Sequence, residues 1–253
     1  MLILQLTDFH ITCAGVAPHG IDTRAAFEHL MQRVATLTPQ PDLIVISGDV
    51  AETGTAEEYA FASAGLRALS IPFVAVPGNH DQRAAFQCGF MGETGKNPDC
   101  LAFSKALAGC HIIGLDTLVE GQAHGELRPT QLNWLDEALN AAGTAPVIIV
   151  MHHPPFRTGL PAMDDIGLRA GAEALSARLE GRSNIAGILC GHVHRAIFSR
   201  FAGIGAAIAP SASHQFMLDL ASRNSFTVVT EAPQLMLHRL DDNNTLCSYL
   251  VPC

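Results

Sequence analysis

The sequence is poor in basic residues. It has 15 lysines and arginines against 24 aspartates and glutamates, none of the basic residues stands in a run, and the formal net charge is −9. A groove for a long nucleic acid depends on clustered Lys and Arg, so we expect no long nucleic acid as a partner. A small anionic substrate is compatible with this charge if bound metal ions supply positive charge.

The sequence also lacks a long hydrophobic run. Hydrophobic residues make up 48% of the chain, but their runs are too short to cross a bilayer, and residues 1–6 carry no basic segment or cleavage site. The seven cysteines are an odd number without the spacing of a disulfide framework, and Cys190 falls in a predicted core strand. We therefore expect no membrane partner, reduced thiols and a cytoplasmic location.

Hydrophobic patterning predicts alternating strands and helices in the first three quarters of the chain. Short apolar runs predict buried strands at residues 2–6, 43–47, 73–76, 111–116, 147–151 and 188–190. Apolar residues at helical spacing predict helices at residues 23–37, 55–69, 130–142 and 172–179. Pro39 and Pro41 would end the first of these helices.

The last quarter is rich in predicted strands, at residues 203–209, 225–230, 234–240 and 246–251, with a turn at 231–233. Residues 82–107 are instead predicted to form an irregular excursion with one or two short helices and a loop-like part at 91–98, acting as a lid or an insertion. The length of 253 residues suits one α/β unit. We expect a single domain over residues 1–253, with two packed sheets and helices outside.

Polar side chains follow five of the predicted strands where each strand ends. They are Asp8 and His10; Asp49; Asn79, His80 and Asp81; His152 and His153; and His192 and His194. Ligands of open α/β sheets bind beyond the carboxyl ends of the strands, so we expect these side chains to share one crevice. His192 and His194 are two residues apart and would point the same way in an extended segment. The pattern predicts a metal site.

The residue types in these endings limit which metals fit. Asp, His and Asn without Cys favour hard or borderline divalent ions such as Mn, Fe, Co or Zn, and a carboxylate such as Asp49 can bridge two of them. Seven candidate ligands are present, namely Asp8, His10, Asp49, Asn79, His152, His192 and His194. Two sites are needed to use all seven, so we expect a cofactor of two divalent metal ions.

The combination of motifs resembles a known family. Asp-x-His, Gly-Asp, Gly-Asn-His-Asp, His and Gly-His-x-His follow one another over residues 8–194, as in the calcineurin-like metallophosphoesterase superfamily. The segments 213–215 (Ser-His-Gln) and 237–239 (Leu-His-Arg) look like its branch of class III cyclic-nucleotide phosphodiesterases and glycerophosphodiesterases. The resemblance implies an α/β fold, a four-layer α/β/β/α sandwich of two mixed β-sheets flanked by helices.

The same resemblance implies which residues hold each ion. One ion would be held by Asp8, His10, Asp49 and His194, and the other by Asp49, Asn79, His152 and His192. Because Asn79 is neutral and a poor donor, the second site should be the weaker one. The candidate catalytic residues are His80, Asp49 and Asn79.

The activity implied is that of a metal-dependent phosphoric diester hydrolase. It would act on small phosphodiesters, either glycerophosphodiesters or 3′,5′-cyclic nucleotides, by in-line attack of a metal-bridging hydroxide. His80 would donate a hydrogen bond to the phosphate or protonate the departing alkoxide. His153 and His214 would contact substrate, or else be satisfied cleft or core histidines.

Several neighbouring residues have open interpretations. Asp81 would orient His80 or cap a helix. Three phenylalanines, Phe86, Phe90 and Phe216, could form a slot for a nucleobase. Alternatively, they pack a lid or a contact between subunits. Glu52 and Arg157 are expected to be solvated.

Two other functions remain alternatives. One is a phosphomonoesterase of the same superfamily, and the other is a non-catalytic scaffold that binds partner proteins. The scaffold would require lost ligands, whereas all seven are present. Because relatives are often dimers or larger, the resemblance also implies a homo-oligomer.

Overall fold

Two mixed β-sheets pack against each other, and helices cover their outer faces. The computed structural model describes residues 1–107, 109–221 and 226–253. Its strands are β1 Leu2–Leu6, β2 Leu43–Ile46, β3 Phe73–Ala75, β4 Phe103–Leu107, β5 Cys110–Gly114, β6 Gly125–Glu126, β7 Val147–Val150, β8 Leu168–Ala170, β9 Ile185–Cys190, β10 Ile197–Phe201, β11 Ile204–Ile208, β12 Gln215–Phe216, β13 Val228–Val229, β14 Gln234–Leu240 and β15 Leu246–Pro252. Its α-helices are α1 Thr23–Ala35, α2 Ala56–Ala68, α3 Arg83–Gly89, α4 Pro129–Ala142, α5 Pro161–Asp165 and α6 Ala172–Leu179.

Each large sheet combines parallel and antiparallel pairs. The first has the strand order β15-β14-β1-β2-β3, in which β1, β2 and β3 are parallel and β14 runs antiparallel to β1. The second has the order β10-β11-β9-β7-β5-β4, with a parallel centre from β11 to β5 and antiparallel edge strands. The carboxyl ends of the parallel strands carry the segments in which the predicted ligands lie.

Three apolar clusters separate four layers. One lies between the first sheet and helices α1 and α2, and another between the second sheet and helices α4 and α6. The third lies between the two sheets and includes Ile3 and Val45 from the first sheet and Ile148 and Leu189 from the second. The predicted four-layer α/β/β/α sandwich of two mixed sheets is confirmed.

Local sequence signals explain where the helices begin. The Asp22 side chain accepts a hydrogen bond from the Ala25 backbone N–H at 2.9 Å and caps α1. Thr55 and Glu58 form a reciprocal capping box at the start of α2. Pro129 occupies the first turn of α4, where its missing N–H costs nothing.

Most predicted elements lie close to their expected positions, with shifted ends. The first helix ends at Ala35 rather than at residue 37, because Thr36 has already left the helical conformation. Strand β9 begins at Ile185, three residues before its predicted start. Among the described residues, no helix has both the length and the apolar character needed to span a bilayer.

Two predicted segments need correction. Residues 82–107 do contain a short helix, α3, but their last five residues form β4, an antiparallel edge strand paired with β5. Exposed Ser104 and half-buried Lys105 interrupt the apolar pattern that would indicate a strand. The strand predicted at 225–230 is short, since only Val228–Val229 is extended, and Ser225 lies outside the described residues.

Candidate metal centre

The polar strand endings meet at one cleft, as predicted. Strands β1, β2 and β3 of the first sheet and β7 and β9 of the second all end there, around a cavity of about 260 Å³. Its polar lining consists of His10, His19, Asp49, Glu52, Asn79, His80, His192, His194 and His214. The other two predicted ligands, Asp8 and His152, are buried directly behind this lining.

The backbone is strained where it carries these side chains. Positive φ angles occur at five predicted ligands, namely Asp8 (52°), His10 (49°), Asp49 (49°), His192 (73°) and His194 (59°). Non-glycine residues rarely adopt this left-handed conformation, which costs on the order of 1–3 kcal/mol each and concentrates at functional sites. The fold tolerates this cost at the positions that aim polar groups into the cleft.

Two glycines allow the chain segments to approach closely. A Cβ on Gly78 would lie 2.2 Å from Asp49 Oδ1, and a Cβ on Gly48 would lie 2.4 Å from His152 Nδ1. Gly48 also has a φ of +101°, which L side chains rarely adopt. Both positions therefore require glycine for the Asp49 carboxylate and the His152 ring to keep their places.

Two imidazole nitrogens face each other at the base of the cleft. His10 Nε2 and His194 Nε2 are 3.0 Å apart. His10 Nδ1 donates to the Glu52 carboxylate at 2.7 Å, and His194 Nδ1 donates to the His214 carbonyl at 3.2 Å. Each neutral ring therefore has its lone pair on Nε2.

Carboxylates complete this first group. One oxygen of Asp8 lies 3.6 Å from His194 Nε2, and one oxygen of Asp49 lies 3.6 Å from His10 Nε2. The ligand atoms of these four residues all lie within 4.8 Å of one another. Four acceptor groups in so small a volume fit a divalent cation, because it would satisfy the lone pairs that face each other.

A second group of acceptors adjoins the first. His152 Nδ1 donates to the Ser47 carbonyl at 2.8 Å, so the neutral form of this ring has its lone pair on Nε2. That nitrogen lies 3.1 Å from Asn79 Oδ1 and 3.4 Å from Asp49 Oδ2, and His192 Nδ1 lies 3.0 Å from the same Asn79 oxygen. Because Asp49 contacts a histidine of each group, its carboxylate stands between them.

Burial and neighbouring charges shift the pKa values of these side chains in different directions. Burial lowers the pKa of His192 to about 3 and, together with repulsion from His10, holds the pKa of His194 well below its usual value. Burial also acts to lower the pKa of His152 and His10, but the Asp49 carboxylate raises the pKa of His152 to about 9, and the Glu52 carboxylate raises that of His10. The same histidines hold the pKa of Asp49 well below its usual value despite its burial. Burial also raises the pKa of Asp8 to about 6, and the nearby Asp49 carboxylate adds to that rise. A cation would offset the buried negative charge of the carboxylates and would take the place of protons on His10 and His152, because metal ligands bind in their deprotonated form.

The sequence matches the family model of calcineurin-like phosphoesterases over residues 1–196. The chain belongs to the calcineurin-like phosphoesterase family. It is 31% identical to a probable glycerophosphodiester phosphodiesterase GpdQ of Arcobacter nitrofigilis, covering 98% of this chain and 92% of that protein. It is 30% identical to the 3′,5′-cyclic adenosine monophosphate phosphodiesterase CpdA of Pseudomonas aeruginosa, covering 97% and 88% of the two chains.

Solved structures of this fold agree with the assignment. A dimetal phosphatase from Danio rerio superposes with a TM-score of 0.70 at 14% identity, covering 98% of both chains. At this identity the likeness shows the phosphoesterase fold alone. The family predicted from the motifs is confirmed by the sequence matches.

The three histidines predicted to contact substrate occupy different places in this phosphoesterase. His80 lines the cavity, with 38% of its side chain exposed, and its Nδ1 donates to the Glu52 carbonyl at 3.0 Å. His214 also lines the cavity, and its ring centroid is 4.5 Å from that of His194. His153 is fully buried behind the cavity, where Thr117 Oγ1 at 2.8 Å and the Ala123 carbonyl at 3.2 Å satisfy its ring.

Glu52 is expected from the sequence to be solvated, but the structure places it in the site. Its carboxylate accepts from His10 Nδ1 at 2.7 Å and lies 3.5 Å from His80 Nδ1. Nothing in the local sequence separates it from an ordinary surface glutamate except its place three residues after Asp49. Arg157, by contrast, is 76% exposed, in agreement with its prediction.

Asp81 has a role different from both predicted ones. Its buried carboxylate accepts hydrogen bonds from the Gly78 N–H at 2.8 Å, the Ala51 N–H at 3.1 Å and the Tyr59 hydroxyl at 3.0 Å. The N-cap of α3 is Gln82, without a side-chain cap. Asp81 thus ties the segment after β2 to the segment after β3, and these segments carry the two residues Asp49 and Asn79.

Only one of the three phenylalanines proposed for a substrate slot faces the cavity. Phe86 and Phe90 are fully buried, with ring centroids 4.9 Å apart, in the cluster beneath α2. Phe216 lines the cavity beside Phe226, and the other apolar lining residues are Pro18, Ala123, Met163, Ile166 and Val228. No described residue of 82–107 lines the cavity.

Proposed function

We propose that this chain is a phosphodiesterase that uses two divalent metal ions to hydrolyse small phosphodiesters. The observation that carries the proposal is the pair of acceptor groups that share Asp49 at the base of one cavity. In this assignment one ion is held by Asp8, His10, Asp49 and His194, and the other by Asp49, Asn79, His152 and His192. The relatives named as phosphodiesterases support the reaction class.

The charge of the cavity supports a metal requirement. Among the described residues that line it, there is no lysine or arginine. The polar groups that a phosphodiester anion would meet there are histidines, Asn79 and the carboxylates of Asp49 and Glu52. Two divalent ions would supply Lewis acidity, activation of water and the positive charge that the lining lacks.

The residues of the chain position the substrate around this centre. His80 is held by the Glu52 carbonyl through Nδ1, which leaves Nε2 free to face a phosphate or leaving-group oxygen in the cavity. When protonated, His80 would donate that proton to the departing alkoxide. The apolar wall around Phe216 and Met163 would accept the organic part of the diester and exclude water from it.

Metal removal and replacement tests the proposal. The protein is stripped with a chelator and Mn²⁺ is added back, and hydrolysis of 3′,5′-cyclic AMP, glycerophosphocholine and 4-nitrophenyl phosphate is followed in parallel. We expect hydrolysis of at least one diester only with metal, and faster than that of the monoester. The preferred diester then identifies the substrate class.

Two outcomes contradict the proposal. A faster reaction with the monoester would indicate a phosphomonoesterase. Binding of Mn²⁺ without cleavage of any substrate would instead favour the scaffold that binds partner proteins. The predicted homo-oligomer and cytoplasmic location stay predictions, and light scattering of the purified protein tests the first.

Replacing Glu52 should weaken the metal centre without removing a ligand. Glu52→Gln removes the negative charge that fixes the His10 tautomer, so we expect about tenfold lower Mn²⁺ affinity or activity, as for other partners of ligating histidines. Calorimetric titration with Mn²⁺ measures the affinity. Glu137→Gln, at an exposed position on α4, is the matched control. Equal affinities and equal rates for the two variants would contradict this role.

A further inference from the structure

A chain of buried hydrogen bonds leads from the C-terminal strand β15 to the base of the metal centre. Ser248 Oγ lies 2.8 Å from His238 Nδ1, and His238 Nε2 lies 3.0 Å from Gln5 Oε1. The Gln5 amide then donates to Ser47 Oγ at 2.9 Å and to the Cys190 carbonyl at 2.7 Å. His238 belongs to the 237–239 motif, to which the proposed reaction assigns no role.

Only one arrangement of protons satisfies all of these hydrogen bonds. The Cys190 carbonyl can only accept, so the Gln5 nitrogen faces it and the Gln5 oxygen faces His238. His238 Nε2 must then donate to that oxygen, and Nδ1 must accept from the Ser248 hydroxyl. Burial lowers the pKa of His238 to about 3, which agrees with this neutral form.

The Gln5 amide joins the two sheets at a single nitrogen atom. Gln5 and Ser47 belong to the first sheet, at β1 and just after β2, whereas Cys190 ends β9 of the second sheet. Gln5, Ser47 and His238 are all at most 1% exposed, and the cluster between the two sheets consists of apolar side chains. Apolar contacts are non-directional, whereas hydrogen bonds have a fixed length and angle. These hydrogen bonds therefore specify the position of one sheet relative to the other more closely.

The joined segments are those that carry the predicted ligands. Asp8 follows Gln5 by three residues, and His192 follows Cys190 by two. Ser47 precedes Gly48 and Asp49, and its carbonyl also accepts from His152 Nδ1 at 2.8 Å. One side-chain amide thus touches the ends of β2 and β9 directly beneath the place where the two ligand groups meet.

We propose that Gln5 and His238 are positioning residues that hold the two sheets in the register the metal centre needs. This inference rests on the proposed function of that centre. Gln5 bonds the two sheets together, and His238 keeps the Gln5 amide in the orientation that allows both of its donated hydrogen bonds. Among the described hydrogen bonds, neither residue contacts a predicted ligand side chain, and neither lines the cavity. Both therefore act through the Ser47 hydroxyl and the Cys190 carbonyl.

The hydrogen bonds that join Ser248, His238 and Gln5 are called the bridge below. Variants of the bridge distinguish a role in positioning the ligands from a role in the stability of the fold. Gln5→Met and His238→Leu remove the hydrogen bonds at similar volume, and Ser248→Ala removes only the outermost donor at a half-buried position. His238→Gln restores an N–H donor near the position of Nε2. Leu240→Ala is the control, because it removes buried volume from the same inter-sheet cluster and no hydrogen bond.

The readouts are Mn²⁺ affinity by calorimetry, kcat and KM for the diester that the wild type prefers, and Tm of the metal-free protein. We expect Gln5→Met and His238→Leu to lower Mn²⁺ affinity or kcat about tenfold, with KM nearly unchanged, in the range seen for outer partners of metal ligands. His238→Gln should recover most of the loss, and Ser248→Ala should show a smaller loss in the same direction. Leu240→Ala should lower Tm alone.

If the bridge variants lower only Tm, as expected for Leu240→Ala, the inference is overturned. The bridge would then contribute only to the stability of the fold. If Gln5→Met or His238→Leu does not fold, the Ser248→Ala and His238→Gln pair decides, and wild-type affinity and kcat in Ser248→Ala would count against the inference. A wild-type protein that binds Mn²⁺ but cleaves no diester would contradict the proposed function instead. The Mn²⁺ affinities of the variants would still test the bridge.

Discussion

Replacing Asp49 with Asn is expected to lower diester hydrolysis by at least about a thousandfold. The Asp49 carboxylate lies 3.6 Å from His10 Nε2 and 3.4 Å from His152 Nε2, so it serves both acceptor groups. The asparagine side chain has the same shape as that of Asp49 but lacks its negative charge. Losing a metal contribution of several kcal/mol corresponds to a loss of this size, since about 1.36 kcal/mol is tenfold in rate.

The measurement pairs kcat/KM for the preferred diester with metal content by mass spectrometry. Asp242→Asn makes the same chemical change at an exposed position and should retain wild-type activity and metal. We expect Asn at position 49 to reduce the bound metal as well as the rate. An Asp49→Asn enzyme that keeps two ions and more than a tenth of the activity would show that Asp49 does not bridge them.

Replacing His80 with Ala is expected to lower kcat about 10²- to 10⁴-fold while the metal content stays intact. General acid catalysis contributes about this much, and His80 lines the cavity outside the two acceptor groups that share Asp49. His29→Ala, on the exposed face of α1, is the matched control. Loss of metal in His80→Ala would contradict its assignment as a group that acts on substrate.

A substrate with a good leaving group distinguishes the two roles of His80. The 4-nitrophenolate that leaves bis(4-nitrophenyl) phosphate needs no proton, so a general acid matters little for its departure. If His80 protonates the leaving group, His80→Ala should lose much less activity with this substrate than with an alkyl diester. Equal losses with both substrates would indicate that His80 binds the phosphate instead.

The sequence by itself determined the parts of this protein that depend on local pattern. Alternating apolar runs and helical periodicities specify most strands and helices, because each depends on neighbours within a few turns. The polar residues that follow strands β1, β2, β3, β7 and β9 could be assigned to one cleft, because the carboxyl ends of packed parallel strands meet at one edge. The combination of these motifs was enough to identify the family.

Only the tertiary structure decided which distant side chains meet. Glu52 reaches His10 across 42 residues, and Gln5 reaches Cys190 across 185 and His238 across 233. Such contacts depend on how whole sheets are aligned and spaced, and a short stretch of sequence does not contain this information. Fixed hydrogen-bond geometry then turns small differences in packing into a specific partner for each polar group.

The same reason explains the corrected aromatic residues. Phe86 and Phe90 lie on or beside a short helix whose sequence suits either a lid or a core element, and only the packing of α3 against α2 buries them. Phe216 faces the cavity because the segment after β11 folds back over His194. The sequence therefore specified the candidate metal-binding residue types and their strand ends, whereas packing decided which side chains support them and which residues form the walls of the cavity.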